Sequence, residues 1–328
     1  MEPLNIGELI DVAQVDGDNF ESLSNPGLMG NARAIAYGGN TLGVGVKAAC
    51  KTVDPKYHLY SVLGNFLGPA FTDRKLLCTV TRIRDTRTFA TRTVEISQKQ
   101  DNGSVRSVMY LLADYQVQEP ATFLTYSPKP SQPLPSVEDS FTPEQRVEQL
   151  LKMDPSIPKQ LIAAYDKQFG LFRRGFDTRF PPNSVFTQNM SGMIKKVKTT
   201  QDHLPLTDKT STDWQKSKFS FKSQAENVSV LAFTMDAALA FLALGHSGKF
   251  FDDVAGTSSL DFALRIFSND IDMSQWHSRE LRTHVGANGR TYTESRLWDQ
   301  QGNMVADMTQ QCIMRPKPGT GTSHAAKL

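Results

Sequence analysis

Between residues 230 and 245 the chain reads VLAFTMDAALAFLALG, and inside this run only Thr234 and Asp236 are polar. An ionised carboxylate carried into apolar surroundings costs several kcal/mol unless partners satisfy it. Asp236 therefore needs a reason to be there. One reason is structural: Thr234 or Asp236 caps a buried helix, with the acid facing the positive end of the helix dipole. The other is functional, a desolvated carboxylate kept for its chemistry. The segment alone leaves both open.

Other chemistry-bearing residues give weaker patterns. Cys50, Cys78 and Cys312 lie far apart without CxxC or Cys/His spacing. That argues against a zinc site and a disulfide framework and fits a reducing compartment. No GxSxG elbow occurs, and Gly245-His246-Ser247-Gly248 has the wrong spacing for one. His246 reads as a helix C-terminal residue favourable to the dipole. No metal or bound organic cofactor is expected.

With 328 residues, 39% hydrophobic and 21% charged, the composition fits a globular chain of about two domains. A net charge of +2 gives no electrostatic case for nucleic acid or an acidic membrane surface. The densest basic cluster, Lys195-Lys196-Val197-Lys198, reads as a solvated face. No run approaches about 18 uninterrupted apolar residues, so no membrane span is expected. The N-terminus MEPLNIGELIDV is acidic and too short in apolar length for a secretory signal.

These residues must be positioned by elements that the pattern places in two similar units. In the first, residues 1–118, residues 20–22 read as a short strand and 25–31 as turn-rich. Ala36-Tyr37-Gly38-Gly39-Asn40 leads into a helix with Leu42, Val46, Ala49 and Val53 on one face. Strands follow at 58–66, 75–84, 87–97 and 107–116, with Asp101-Asn102-Gly103 as a hairpin turn. Residues 119–171 are a connector on the surface of both units. It is proline-rich at 127–135 and helical at 140–153, where Thr142 caps and Gln145 sits three later. The second unit, 172–317, opens with the strand RGFDTRF, ended by Pro181-Pro182. A largely polar stretch at 195–218 precedes the apolar helix around Asp236. Strands are expected at 259–267, 278–287, 290–299 and 304–314, with a turn at 300–303. Residues 318–328 form a flexible tail.

The two units repeat. Arg87-Thr88-Phe89-Ala90-Thr91-Arg92 matches Arg290-Thr291-Tyr292-Thr293-Glu294-Ser295-Arg296, with one residue more in the second copy. Each copy gives strand, helix, then antiparallel strands, an α+β unit whose sheet wraps around its helix. Each has an open sheet edge, and pairing two copies covers both. The chain reads as a tandem duplication.

At this point a family resemblance appears. The first half carries it in Tyr37-Gly38-Gly39, in Phe66-Leu67-Gly68-Pro69, and in the run from Ile83 through Arg87-Thr88-Phe89 to Arg92. The second half carries it at Met235-Asp236, at Ser258-Ser259-Leu260-Asp261, and from Gly302-Asn303-Met304 through Gln310-Gln311-Cys312 to Arg315. From about Ile6 to Arg315 the chain resembles the acyl-CoA thioesterase II family, bacterial and peroxisomal enzymes with a double hotdog fold. The resemblance implies hydrolysis of acyl-CoA and a catalytic Asp, Ser or Thr, and Gln, which fall here on Asp236, Ser259 and Gln310. Ser259 sits at a turn-to-strand junction where a hydroxyl commonly bonds the backbone. Alternation puts Gln310 and its neighbour Gln311 on opposite faces, and the family register selects Gln310.

In the implied chemistry Asp236 accepts a proton from water as general base, and Ser259 and Gln310 fix that water's approach to the carbonyl carbon. A thiol leaves readily as thiolate, so no general acid is required. Backbone N–H groups near Gly38-Gly39-Asn40 would meet the oxyanion. Two departures bear on the acyl-CoA cleft. Leu63 and Gly64 replace polar residues of the strand before the proline loop, and Phe262 follows Asp261 where a histidine is usual. A hotdog hydratase would need an Asp/His pair, which Phe262 denies. A non-catalytic acyl-thioester binder is disfavoured by retention of all three catalytic residue types. Release of a product from a biosynthetic thioester stays open.

The expected partners are the acyl-CoA substrate and further copies of the chain, as a homodimer or larger. Ala326-Lys327-Leu328 is a variant of the Ser-Lys-Leu peroxisomal address. It implies an import receptor and the peroxisomal matrix.

Overall fold

The alternating segments pair into one antiparallel sheet. A computed structural model describes residues 2–30 and 33–319. Its first half holds α1 (Ile6–Leu9), β1 (Val12–Asp16), β2 (Asn19–Ser22), α2 (Gly38–Cys50), β3 (Tyr57–Phe66), β4 (Leu77–Asp85), β5 (Phe89–Lys99) and β6 (Val105–Val117). Helices α3 (Pro143–Met153) and α4 (Lys159–Gly175) follow. The second half holds β7 (Phe176–Arg179), α5 (Val185–Gln188), β8 (Ser211–Ser217), α6 (Gln224–Met235), α7 (Leu242–His246), β9 (Val254–Ile266), β10 (His277–Ala287), β11 (Arg290–Trp298) and β12 (Met304–Pro316).

Among the described residues the sheet has 12 strands, in the order β1-β2-β4-β5-β6-β3-β9-β12-β11-β10-β8-β7. Read outward from its middle, each half has the same succession. The inner edges β3 and β9 pair with each other, from Ser61 opposite Arg265 to Asn65 opposite Asp261. Neither half keeps an open inner edge, which is what a duplicated sheet requires. The two hairpins match as well: Gly103 and Gly302 both adopt left-handed backbone, at φ 81° and 80°.

Helices α2 and α6 lie against each other inside the sheet's curve. Nearly all of α2 is buried, Lys47 included, rather than one face of it, because α6 covers what the sheet does not. Lys47 reaches Asp11 at 3.5 Å and Glu226 at 3.8 Å. The helices cross closely: a Cβ on Gly39 would stand 2.4 Å from the Phe233 carbonyl oxygen, and one on Gly43 3.2 Å from that of Ser229. By length and composition the stretch Gln224–His246 could cross a membrane, but it is core, 89% of its most apolar window being buried.

Four features differ from the sequence reading. The apolar run is not one helix: α6 stops at Met235, and the chain turns before α7. Strand β8 lies in the stretch read as polar, with Ser211, Thr212, Gln215 and Ser217 buried where it pairs with β10 and β7. Residues 159–171, read as connector, are helical, and the 17-residue helix α4 that holds them runs on through Gly175, taking the first two residues of the strand read as RGFDTRF. Ser259 lies within β9 rather than at its start. The Thr142–Gln145 capping box at the head of α3 is present.

Candidate active site

Asp236 occupies the C-cap of α6, so it is not an N-cap. Thr234 does not cap either; its hydroxyl donates back to the Leu231 carbonyl at 3.0 Å. The chain leaves the helix through Ala238 at φ 78°, a left-handed non-glycine residue that costs about 1–2 kcal/mol. The carboxylate meets the positive end of a different helix: the Gly39 N–H, in the first turn of α2, donates to it. Gly38 makes room, since a Cβ there would lie 2.9 Å from Asp236 Oδ2.

The remaining partners come from the sheet. Gln310 Nε2 donates to Asp236 Oδ1. Ser259 Oγ donates to Gln310 Oε1 at 3.1 Å. Ser259 faces inward because β9 carries a bulge: Asp261 pairs with Gln311 and Ser259 with Cys312, leaving Leu260 unpaired. Beyond the bulge, alternation places Phe262 and Leu264 inward; the extra residue brings Ser259 onto that same face. Gln310 is fully buried and Gln311 turns the other way, onto Asp261. Three side chains distant in sequence thus form one chain of hydrogen bonds, Ser259 to Gln310 to Asp236.

Asp236 is 6% exposed. Burial pushes its pKa up to about 6, against the pull of the Gln310 and Gly39 hydrogen bonds. The negative carbonyl end of α6 beneath it is covered by Arg279, which donates to the Thr234 and Ala237 carbonyls at 3.1 and 3.2 Å and pairs with Asp213 at 2.7 Å. Tyr37 ties the halves together through its hydroxyl, which donates to the Phe233 carbonyl at 2.7 Å.

A cavity of about 540 Å³ opens onto this site. Asp236, Ser259, Gly38 and Tyr37 line it; Gln310 does not, and sits sealed behind the other two. Gln310 is therefore placed to orient Asp236 and Ser259 rather than to touch a water directly. The opposite wall comes from α3 and α4, through Arg146, Tyr165, Phe169 and Phe172. The connector is part of the site, not only a surface strap. Its proline-rich part does lie on the outside, held by Trp298 and Trp214, whose indole N–H groups donate to the Pro128 and Pro135 carbonyls.

Several expected residues fall elsewhere. Of the N–H groups assigned to an oxyanion, that of Gly39 serves Asp236 and that of Asn40 turns back to the Tyr37 carbonyl at 3.0 Å. Gly38, the first residue of α2, has no intrahelical acceptor and borders the cavity. Leu63 does not line the cavity. On β3 the buried Val62 and the cavity-lining Phe66 share the inner face, and alternation sends Leu63 outward. Gly64 and Phe262 are opposite each other across β3 and β9, and a Cβ on Gly64 would meet the Phe262 ring at 2.5 Å. The two departures are one packing solution, a ring laid over a glycine. His246 is the last residue of α7, but burial pushes its pKa down to about 3, so it carries no charge for the dipole. Its Nε2 lies 2.8 Å from the cavity-lining Ser211 Oγ. Among the described residues no carboxylate holds its Nδ1, and so poor a base cannot activate a serine. Ala326, Lys327 and Leu328 lie outside the described residues.

The sequence reading missed Tyr37's role, Arg279 and Arg146. Only Arg146 left a signal, a cation on the apolar face of α3 with Leu150 one turn on.

Known proteins share this architecture. A family model described as the acyl-CoA thioesterase N-terminal domain matches residues 25–115, and one for the C-terminal domain matches 166–314. Mouse acyl-coenzyme A thioesterase 8 is 24% identical over 292 residues, 88% of this chain and 82% of that protein. Acyl-CoA thioesterase II TesB2 from Mycobacterium marinum superposes with a TM-score of 0.67 at 18% identity, covering 96% of this chain and 99% of that one. A TesB protein from Mycobacterium avium subs paratuberculosis gives 0.66 at 16% identity, covering 95% and 100%. The two structures share the double hotdog fold, and the two family models together span most of the chain: it belongs to the acyl-CoA thioesterase family.

Proposed function

We propose that this thioesterase hydrolyses acyl-CoA with a water held between Asp236 and Ser259. What carries the reading is the hydrogen-bond chain from Ser259 through Gln310 to Asp236, ending on the cavity wall. Because the Ser259 hydroxyl donates to Gln310 Oε1, the serine oxygen presents lone pairs to the cavity. A water there gives one hydrogen to Ser259 Oγ and the other to Asp236, leaving its own lone pair for the thioester carbonyl carbon.

Asp236 takes the proton as the C–O bond forms, a task suited to a base with a pKa near 6. The Gly38 N–H, at the head of α2, receives the developing oxyanion. Collapse breaks the C–S bond, the acid departs, and the thiolate takes up the proton Asp236 holds. No acyl-enzyme forms.

The test is release of free CoA thiol from short, medium, long and branched acyl-CoAs by wild type and Asp236→Asn side by side. Turnover by the wild type, lost in the variant, is expected. Equal rates for the two proteins would remove Asp236 from the base role. Binding of every acyl-CoA without release by wild type would make the chain a binder.

A further inference from the structure

Arg146 is 2% exposed and lines the cavity, and among the described residues no carboxylate pairs with it. Four arginines and three aspartates line the cavity. Asp166 is held by Arg173 and Asp213 by Arg279, while Asp236 belongs to the reaction site. Arg146 and the outlying Arg315 are left over, and only Arg146 is buried.

A buried guanidinium without a counter-ion is costly. Its geometry shows which donors are committed. Nε donates to the Thr187 carbonyl at 3.2 Å, one Nη2 N–H to the Phe186 carbonyl, and one Nη1 N–H to the Tyr165 hydroxyl at 3.0 Å. Rings of Phe180 and Tyr165 lie at 4.4 and 5.1 Å from its central carbon. The group is thereby fixed in orientation, and a guanidinium has five N–H donors. One on each terminal nitrogen remains, enough for two charge-assisted hydrogen bonds to a carboxylate. From Arg146 the cavity lining continues through the rings of Tyr165, Phe169 and Phe241, successive centroids 4.9 and 5.8 Å apart, in the same cavity that Asp236 and Ser259 line. An apolar stretch ending in a cation matches an acyl arm with a methylene chain and a distal acid.

We propose that Arg146 binds a terminal carboxylate on the acyl group, making CoA thioesters of dicarboxylic acids the preferred substrates. This rests on the thioesterase reading, and Arg146 acts in specificity, not in bond cleavage.

The test compares adipoyl-, suberoyl- and sebacoyl-CoA with hexanoyl-, octanoyl- and decanoyl-CoA. A charge-assisted bidentate contact predicts kcat/KM at least about tenfold higher for the dicarboxylyl member of the best pair. Arg146→Gln erases that preference by lowering the dicarboxylyl rates while the monocarboxylyl rates hold, and Arg146→Lys restores part of it. Should the variants misfold, calorimetric titration of wild type with the unhydrolysable thioethers S-(7-carboxyheptyl)-CoA and S-octyl-CoA reads the same contact, with the carboxylated ligand at least about tenfold tighter. Equal kcat/KM across every pair, or equal binding of the two thioethers, overturns the proposal while leaving hydrolysis intact. Tight binding of the carboxylated thioether by a protein that hydrolyses nothing overturns the thioesterase reading alone.

Discussion

The two halves repeat one strand order and each closes the C-terminal end of its central helix with a buried arginine paired to an aspartate, yet only one of the two ends also carries a carboxylate facing a cavity. Past the end of α2 the space is filled by Arg92, 1% exposed, whose guanidinium donates to the Thr52 carbonyl and hydroxyl, each at 3.0 Å, and to the Arg84 carbonyl at 3.1 Å, and pairs with Asp85 at 2.7 Å. Past the end of α6 Arg279 covers the carbonyls in the same way, but beside it stands Asp236, with two protein partners and a cavity. A buried polar group whose bonds are all made adds to stability; one left partly unmatched is held in a less favourable protonation state. The first copy uses its helix end only to hold the fold; the second adds a desolvated carboxylate on a cavity wall, the group proposed above as the base. The site also depends on both: the N-terminus of α2 supports the carboxylate of α6.

Asp236→Asn tests the contrast hardest. It should lower kcat by about 10²–10⁴-fold with KM little changed. Its effect on stability should run the other way. Folding raises this carboxyl's pKa from 3.8 to about 6, so the fold favours the protonated form. The stabilisation from protonation is complete below the ordinary carboxylate value and lost as pH rises through about 6; at neutral pH the charged group costs about 3 kcal/mol. Thermal unfolding at pH 7 should therefore show Asp236→Asn no less stable than wild type. A fall in Tm of several degrees would make the carboxylate structural.

Arg92→Met is the mirror experiment. Loss of its buried hydrogen bonds should cost about 3 kcal/mol in denaturant unfolding, with kcat and KM within about twofold where the protein stays folded. Lost activity at unchanged stability would break the division between the halves. Gly39→Ala attacks the contact between them. Its Cβ would lie 2.4 Å from the Phe233 carbonyl and displace the N–H that Asp236 uses, so about 2 kcal/mol of stability and a drop in kcat should go together. In wild type kcat/KM should fall about tenfold per pH unit below about 6, as Asp236 becomes protonated. Ser259→Ala, which keeps the base and loses one anchor of the water, should cost least, about tenfold in kcat. A flat acid limb would separate Asp236 from the rate.

The sequence by itself determined the four strands that follow each central helix, both glycine hairpins and the duplication, because period-two burial, left-handed turns and repeated motifs are local features of the chain. It also marked Asp236, since one acid in an apolar run is conspicuous wherever the run ends up. Ser259 and Gln310 were legible only through resemblance, as a serine beside a serine and a glutamine beside a glutamine have no local distinction. Tertiary structure decided the rest. The break after Met235 follows from what Asp236 meets: Gly39 of the other half and Gln310, 74 residues away. The bulge at Leu260 that turns Ser259 inward exists only as a mismatch between paired strands. The cavity wall was hidden in the connector, because a helix that covers another domain's site has the same amphipathic pattern as one lying on any surface. Periodicity records that a face is buried; which partner buries it, and what space is left between them, is settled only when distant segments pack.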